Sequence, residues 1–308
     1  MRKRNPDTTM EEIAQAWLIA QKSRVKSSTN AIYHYGWQHY LSPIFGTLQP
    51  ARITEQLVQK YLQAKRNLSA LTLRNQVILL RNILKFAQEK YGIATDYKEI
   101  CLPAAYGERL IIANTTWRRL QHVIQGDDSL IADCIALASL TGIRLGECCA
   151  LQCMDIDEKE RLIYIRHTVQ RIRTTHDLLR TRLVVSSPKS KKSRRIIPIP
   201  DKLWTRIQRI CIGKEKTDFI FGSKDSPMDP RRLQYQFAQY LRRHKIKDFN
   251  FHQLRHKFAT CCLEQKMDIK VLSELLGHSS VSVTLNYYVH PDLNYKRRQI
   301  NKFANAYQ

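Results

Sequence analysis

The feature that most restricts the fold is a change of hydrophobic period along the chain. From Thr8 to Gly92, apolar residues recur at the three- and four-residue spacing of helices, in four blocks divided by turn residues. Thr8 and Thr9 stand three residues before Glu11 and Glu12, the pattern of a capping box, and Ile13, Trp17 and Leu18 follow on one side. A second block opens near Ser28 with Ile32, Tyr35 and Tyr40, and is expected to end by Ser42-Pro43, where proline opposes continuation. Thr54 can cap a third, through Leu57, Val58, Tyr61 and Leu62. The fourth starts near Ser69, carries Leu73, Val77, Leu80, Leu84 and Ala87, and stops at Gly92. Four amphipathic helices with short connections predict a compact bundle over residues 1–103.

Between about Thr95 and Thr115 no period is sustained, and Pro103 and Gly107 mark a linker. A second domain, residues 110–308, is expected to follow. Its first strong helix runs from about Leu130 to Leu140, after which Leu162 to Ile165, Leu183 to Val185 and Ile196 to Ile199 read as short strands. Helical spacing returns from Asp201 and again from about Pro230 to the end. The predicted class is mainly α with a small antiparallel β-sheet, in two domains.

Charge points to the partner. Lys and Arg number 51 against 27 Asp and Glu, a formal net charge of +24. Such a field attracts polyanions, with nucleic acid the leading candidate and an anionic membrane surface the rival. No apolar run is long enough to span a bilayer; the best, from Ile131 to Ile143, contains Asp133 and reads as a core helix. The basic start Arg2-Lys3-Arg4 lacks the apolar stretch of a secretory signal, so a cytoplasmic location is expected. The eight cysteines show no zinc-type pairs and read as reduced core thiols.

The chemistry gathers near the end of the chain. His252 and Arg255, three apart in His252-Gln253-Leu254-Arg255-His256, share a face if that stretch is helical and can grip neighbouring oxygens of one phosphate. Asp268 caps a helix with Ile269, Leu272, Leu275 and Leu276 on its apolar side, and Gly277 ends it, holding His278 at the start of a turn. Ten residues on comes Tyr288. About a hundred residues upstream, Thr141-Gly142-Ile143-Arg144-Leu145-Gly146-Glu147 supplies another arginine. Alone, each has an ordinary explanation: His256 as a core histidine, Tyr287 and Tyr288 as packed aromatics, Arg144 as a local ion pair. Together, two arginines, imidazoles and a tyrosine suggest chemistry on a phosphodiester.

This ordered set resembles the tyrosine recombinases, the phage integrase family, over nearly the whole chain. The resemblance implies a SAM-like helical core-binding domain followed by a mixed α+β catalytic domain. It makes Arg144 the first catalytic arginine with Glu147 in support, assigns His252 and Arg255 to the second box, and gives His278 the third basic position. The family's nucleophile is commonly followed, after one residue, by histidine; Tyr288-Val289-His290 fits and Tyr287 does not. The basic run Ser187 to Arg195 lies between two strand-like runs and reads as the tip of a β-hairpin entering DNA. By resemblance the catalytic lysine is Lys189, which follows proline, with Lys191 as the alternate. The implied reaction is attack of tyrosine on the scissile phosphate, giving a 3′-phosphotyrosyl link that a 5′-hydroxyl reverses, without ATP, metal or other cofactor. A tyrosine hydroxyl titrates near pH 10, so the site must be strongly electropositive and supply a base.

The resemblance further implies double-stranded DNA at core recombination sites and a homotetramer on two duplexes, associated with the nucleoid. Ile300, Phe303, Ala304 and Tyr307 form an apolar stripe on a short final helix, which can dock on a neighbouring protomer or on its own domain. Hardly any chain precedes the first core-binding helix, so no arm-site-binding domain is expected, and integration or excision of a mobile element and an Xer-type resolving role both remain open. Two rivals stand beside this reading: a type IB topoisomerase, and a non-catalytic DNA-binding protein derived from an integrase.

Overall fold

The computed structural model describes residues 8–104, 112–173, 181–188, 193–288 and 293–305. The chain divides into two compact units, Met1–Arg109 with Ile172–Arg182, and Leu110–Arg171 with Leu183–Gln308.

The N-terminal segment of the first unit is helical, and its second segment holds the end of β3 (Thr168–Arg173) and the start of β4 (Thr181–Ser186). Helix α1 (Met10–Gln21) begins with the expected capping box, in which the Thr9 hydroxyl accepts from the Glu12 amide and the Glu12 carboxylate accepts from the Thr9 amide. It buries Ile13, Ala14, Trp17 and Leu18. Helix α2 (Ser27–Gly36) departs from expectation: Ile32 is 68% exposed, while Asn30 and Ala31 are buried. The buried face runs through Asn30, Trp37 and Leu41, which share one side at helical spacing, and leaves Ile32 outside; Trp37–Leu41 form a wider, π-bonded turn. Glu11 pins this segment, accepting from Trp37 Nε1 at 2.9 Å and Ser42 Oγ at 2.7 Å. Helix also resumes beyond the expected stop, as α3 (Ser42–Phe45), because Pro43 falls in its first turn, where no amide donor is needed. Helices α4 (Glu55–Ala64) and α5 (Ala70–Tyr91) are capped by Thr54 and Ser69, and α5 ends at Gly92 as predicted.

The second unit is built around α7 (Leu130–Thr141), whose residues from Ala132 to Ser139 are all buried. A helix apolar on all sides belongs in a core. Its one carboxylate, Asp133, is met by Arg206 at 2.7 Å and Arg209 at 2.8 Å from α9 (Asp201–Cys211). Before α7 lies α6 (Asn114–Gln125), which starts inside the expected linker and has no side-chain cap to announce it. After α7 comes α8 (Leu145–Ala150).

Five strands follow: β1 (Ile156–Asp157), β2 (Leu162–Ile165), β3 (Thr168–Arg173), β4 (Thr181–Ser186) and β5 (Arg195–Pro198). The first sheet has the order β1-β2-β5 and is antiparallel, with Ile163 opposite Ile197 and Ile165 opposite Arg195. The expected hairpin between the runs at Leu183 and Ile196 does not form: β4 pairs with β3, and β5 pairs with β2, so the basic link joins two sheets. Both runs are too apolar on both faces for alternation to reveal their partners.

Helices α10 (Pro230–Arg243), α11 (His252–Glu264), α12 (Ile269–Leu276), α13 (Val281–Tyr288) and α14 (Leu293–Asn305) complete the chain. Among the described residues no helix is long and apolar enough to cross a membrane. Cys134, Cys148, Cys149 and Cys262 are buried thiols, whereas Cys101 is exposed, which corrects the expectation of core thiols throughout.

Candidate active site

The site is assembled in the second unit from two chain reversals and two helix ends. Helix α7 closes at Gly142, which takes a left-handed conformation with φ 63°. A Cβ here would stand 2.5 Å from Phe258 Cδ1 and 2.9 Å from Leu276 Cδ2, so glycine permits both the turn and the approach of α11 and α12. Two residues on, Arg144 is the N-cap of α8, and Glu147 occupies the third helical position. The Glu147 carboxylate accepts from the Arg144 amide at 3.0 Å and from Arg144 Nη1 at 2.7 Å.

Helix α12 is capped by Asp268, whose Oδ1 accepts from the Lys270 and Val271 amides, and ends in left-handed Gly277, as the sequence predicts. Its last carbonyls point into the site, and three guanidinium groups converge on them. Arg195 Nε donates to the Leu275 carbonyl at 2.6 Å, Arg255 Nη2 to that of Leu276 at 2.6 Å, and Arg144 Nη2 to that of Gly277 at 3.0 Å. A helix C-terminus carries partial negative charge, so cations gather there favourably. Arg255 also donates to the Gly142 carbonyl at 2.8 Å, which ties the end of α7 to the end of α12. Its side chain is buried, whereas that of Arg144 is 32% exposed.

The imidazoles lie beside these arginines. His278 Nδ1 is 2.7 Å from the hydroxyl of Thr284, a fully buried residue of α13. This bond sets the start of α13 against the end of α12. His252 opens α11 at an exposed position, its ring edge-on to that of half-buried His256 with centroids 4.7 Å apart. Burial lowers the pKa of both His252 and His278 to about 4, and nearby cations add to the effect, notably Arg255 and Arg144. His252 is buried only in part, and the positive charge of Arg255 and Arg144 acts with that burial.

Glu147 is 3% exposed, and burial alone would push its carboxyl up. Arg195 outweighs this through charge and hydrogen bonds, with Arg144 adding to it, and the carboxyl is held at about 2.

Of the residues nominated from sequence, the structure brings together Arg144, Glu147, His252, Arg255 and His278. Tyr288 is the last residue of α13, one helical turn past Thr284, and Tyr287 precedes it. Lys189 and Lys191 lie outside the described residues, as does His290. Sequence reasoning missed Arg195. Its side chain is 5% exposed, and Nη1 and Nη2 reach the two oxygens of Glu147 at 3.0 and 2.8 Å. The available signal was strand period: in β5, Arg195 falls two residues from buried Ile197 and so on the inward face. That signal was masked because Ile196, Ile197 and Ile199 are all apolar. Beside the site, a cleft of about 350 Å³ is lined by Arg194, Arg195, Lys270, Ser273 and His278 among others.

The chain is similar to known proteins both in sequence and in three dimensions. Residues 117–294 match the profile of the phage integrase family. The chain is 23% identical to a tyrosine recombinase XerC-like protein of Caldanaerobacter subterraneus subsp. tengcongensis, over 92% of this chain and 80% of that one. Other relatives, integrases and transposases among them, are matched over about half of their own length, 52% and 42% in two cases. In three dimensions the chain is similar to the Tn1549 transposon integrase solved with a circular intermediate DNA, at a TM-score of 0.80 and 19% identity, covering 96% of this chain and 99% of that one. It is also similar to lambda integrase, solved as a tetramer on a Holliday junction, at a TM-score of 0.69 and 15% identity, covering 93% and 79%.

Proposed function

The chain belongs to the phage integrase family of tyrosine recombinases, and on that premise we propose that it integrates or excises a mobile element by cutting and rejoining DNA through Tyr288. The observation that carries this reading is the convergence of Arg144 and Arg255 on the carbonyl end of α12, next to His278 and followed by the tyrosine-bearing α13.

In the proposed reaction the Tyr288 oxygen attacks the scissile phosphorus and the 5′-oxygen departs, leaving a 3′-phosphotyrosyl bond. Negative charge builds on the non-bridging oxygens, where Arg144 and Arg255 supply permanently charged planar donors whose positions are set beforehand by carbonyl bonds. His278 donates a further hydrogen bond. His252 takes the tyrosine proton. Lys189 protonates the departing oxygen. The reverse attack by a 5′-hydroxyl from another strand rejoins the DNA and releases the enzyme, so no energy source outside the phosphodiester is used.

The partner in this reading is double-stranded DNA at core sites, gripped by residues 1–103 and 110–308 as two domains and acting with the nucleoid in the cytoplasm. Support comes from the net charge of +24 and from neighbours solved with DNA. A homotetramer on two duplexes is supported by the lambda integrase assembly. On α14, Ile300 is 63% exposed, which favours a tail that docks on a neighbouring protomer.

The test is covalent capture. Duplexes selected from a random library for binding are rebuilt with a nick that lets the cleaved fragment diffuse away, and protein–DNA adducts are read on denaturing gels. Wild-type protein should form an adduct, Tyr288→Phe none, and Tyr287→Phe should retain it. A wild-type protein that binds without forming an adduct would point to a non-catalytic DNA binder and sink the proposal.

A further inference from the structure

We propose that Arg195 is a positioning residue for strand cleavage, which shares the Glu147 carboxylate with Arg144 and locks the last turn of α12 in place. This rests on the recombinase reading above; the sequence places this arginine only in the basic run expected to enter DNA, whereas its side chain is 5% exposed and bound to protein groups.

Arg195 is engaged on all three guanidinium nitrogens. Nε donates to the Leu275 carbonyl at 2.6 Å, Nη1 to Glu147 Oε1 at 3.0 Å and to the Ser193 carbonyl at 3.2 Å, and Nη2 to Glu147 Oε2 at 2.8 Å. With Nε, Nη1 and Nη2 all donating to protein acceptors, two of them on one carboxylate, it is placed to hold protein groups. Glu147 in turn receives Arg144 through both its Nη1 and its amide. One carboxylate thus lies between two guanidinium groups, and each of those groups reaches back to the same helix end, Arg195 to Leu275 and Arg144 to Gly277.

Two consequences follow from charge and geometry. Shared between two cations, Glu147 cancels only one positive charge, so the Arg144–Glu147–Arg195 triad keeps a net charge of +1 where Arg144 meets solvent. Without Arg195, the carboxylate would neutralise Arg144 and weaken the field offered to a phosphate. The second consequence is mechanical. The Leu275 carbonyl bond joins the start of β5 to α12 three residues before His278, and His278 fixes α13 through Thr284. Losing it loosens the alignment of His278 and α13 together. Lysine would keep the charge but cannot present a planar fork to two carboxylate oxygens and a carbonyl at once.

The experiment measures single-turnover cleavage of the nicked duplex at saturating protein, alongside the DNA dissociation constant, for wild type, Arg195→Gln, Arg195→Lys, Glu147→Gln and the double variant Glu147→Gln/Arg195→Gln. Arg195→Gln should cleave about 100-fold more slowly with the dissociation constant within about 3-fold of wild type, since a buried charged hydrogen-bond network is lost but no DNA contact. Arg195→Lys should recover part of the rate, to within about 10-fold of wild type. The double variant should be little slower than the worse single one, because Glu147 and Arg195 belong to one hydrogen-bonded network at the end of α12. A folded Arg195→Gln with the wild-type limiting rate overturns the proposal, as does a double variant whose two losses multiply. If Arg195→Gln does not fold, Arg195→Lys decides: an undiminished rate overturns it. Failure of the recombinase reading looks different, being absence of adduct from the wild-type protein.

Discussion

His278 and His252 resist protonation: partial burial and the cations around them disfavour the imidazolium, and both pKa values fall from 6.5 to about 4. The sign of the stability effect follows from the lowering. As pH falls below 6.5 the unfolded chain takes up protons at these rings while the folded one does not, so stability is lost progressively until about pH 4. Ring-proton NMR on the DNA-free protein should give both midpoints near 4, and a midpoint near 6.5 for either would contradict the packing described here. Glu147 behaves in the reverse sense, its stabilising pair being complete above about pH 4.5 and lost as pH falls through about 2. The residues with chemistry on their surface, Arg144, His252, Arg255 and His278, could be nominated from spacing because each sits in a short motif bounded by glycine or by a helix start. Arg195 could not, since its two-residue spacing from Ile197 is hidden by the neighbouring apolar Ile196 and Ile199, and it follows directly on the cations of the run from Lys189 to Arg194.

Helix α7, its Gly142 cap and α8 form one element with a demanding joint. Replacing Gly142 with alanine forces a side chain into a left-handed conformation and against Phe258 and Leu276. The expected loss is about 2–4 kcal/mol, combining backbone strain with overpacking, and is read from urea unfolding of the folded variant. Unchanged stability would mean that α11 and α12 do not approach this turn. Element boundaries were legible where a cap announces them, as at Thr9, Thr54, Ser69 and Asp268. They were illegible where none does: α6 begins without a capping side chain, and α2 buries Asn30 and Ala31 while leaving the more apolar Ile32 outside. Strand pairing was misjudged for a related reason. Neighbouring apolar runs look like hairpin partners, yet β4 and β5 each find an earlier strand.

Across the whole molecule the excess of 24 positive charges makes DNA affinity an ionic matter. Measured by fluorescence anisotropy, log affinity should fall with log salt by about 0.9 for each phosphate neutralised, so that 6–10 contacts cost about 10³- to 10⁵-fold between 50 and 200 mM salt. A dissociation constant that moves less than about 3-fold over that range would refute phosphate gripping as the basis of binding. Composition, helical period, capping residues and the motifs around Arg144, His252, Arg255 and His278 were determined by the sequence alone, because each is written in neighbouring residues. The tertiary structure decided what closes over distance: which strands pair, which face of α2 turns inward, and that Arg144, Arg195 and Arg255 meet on three successive carbonyls of α12. A carboxylate's partners are set by where the chain returns in space, and Glu147 finds Arg195 48 residues away only after the sheet and helices have packed.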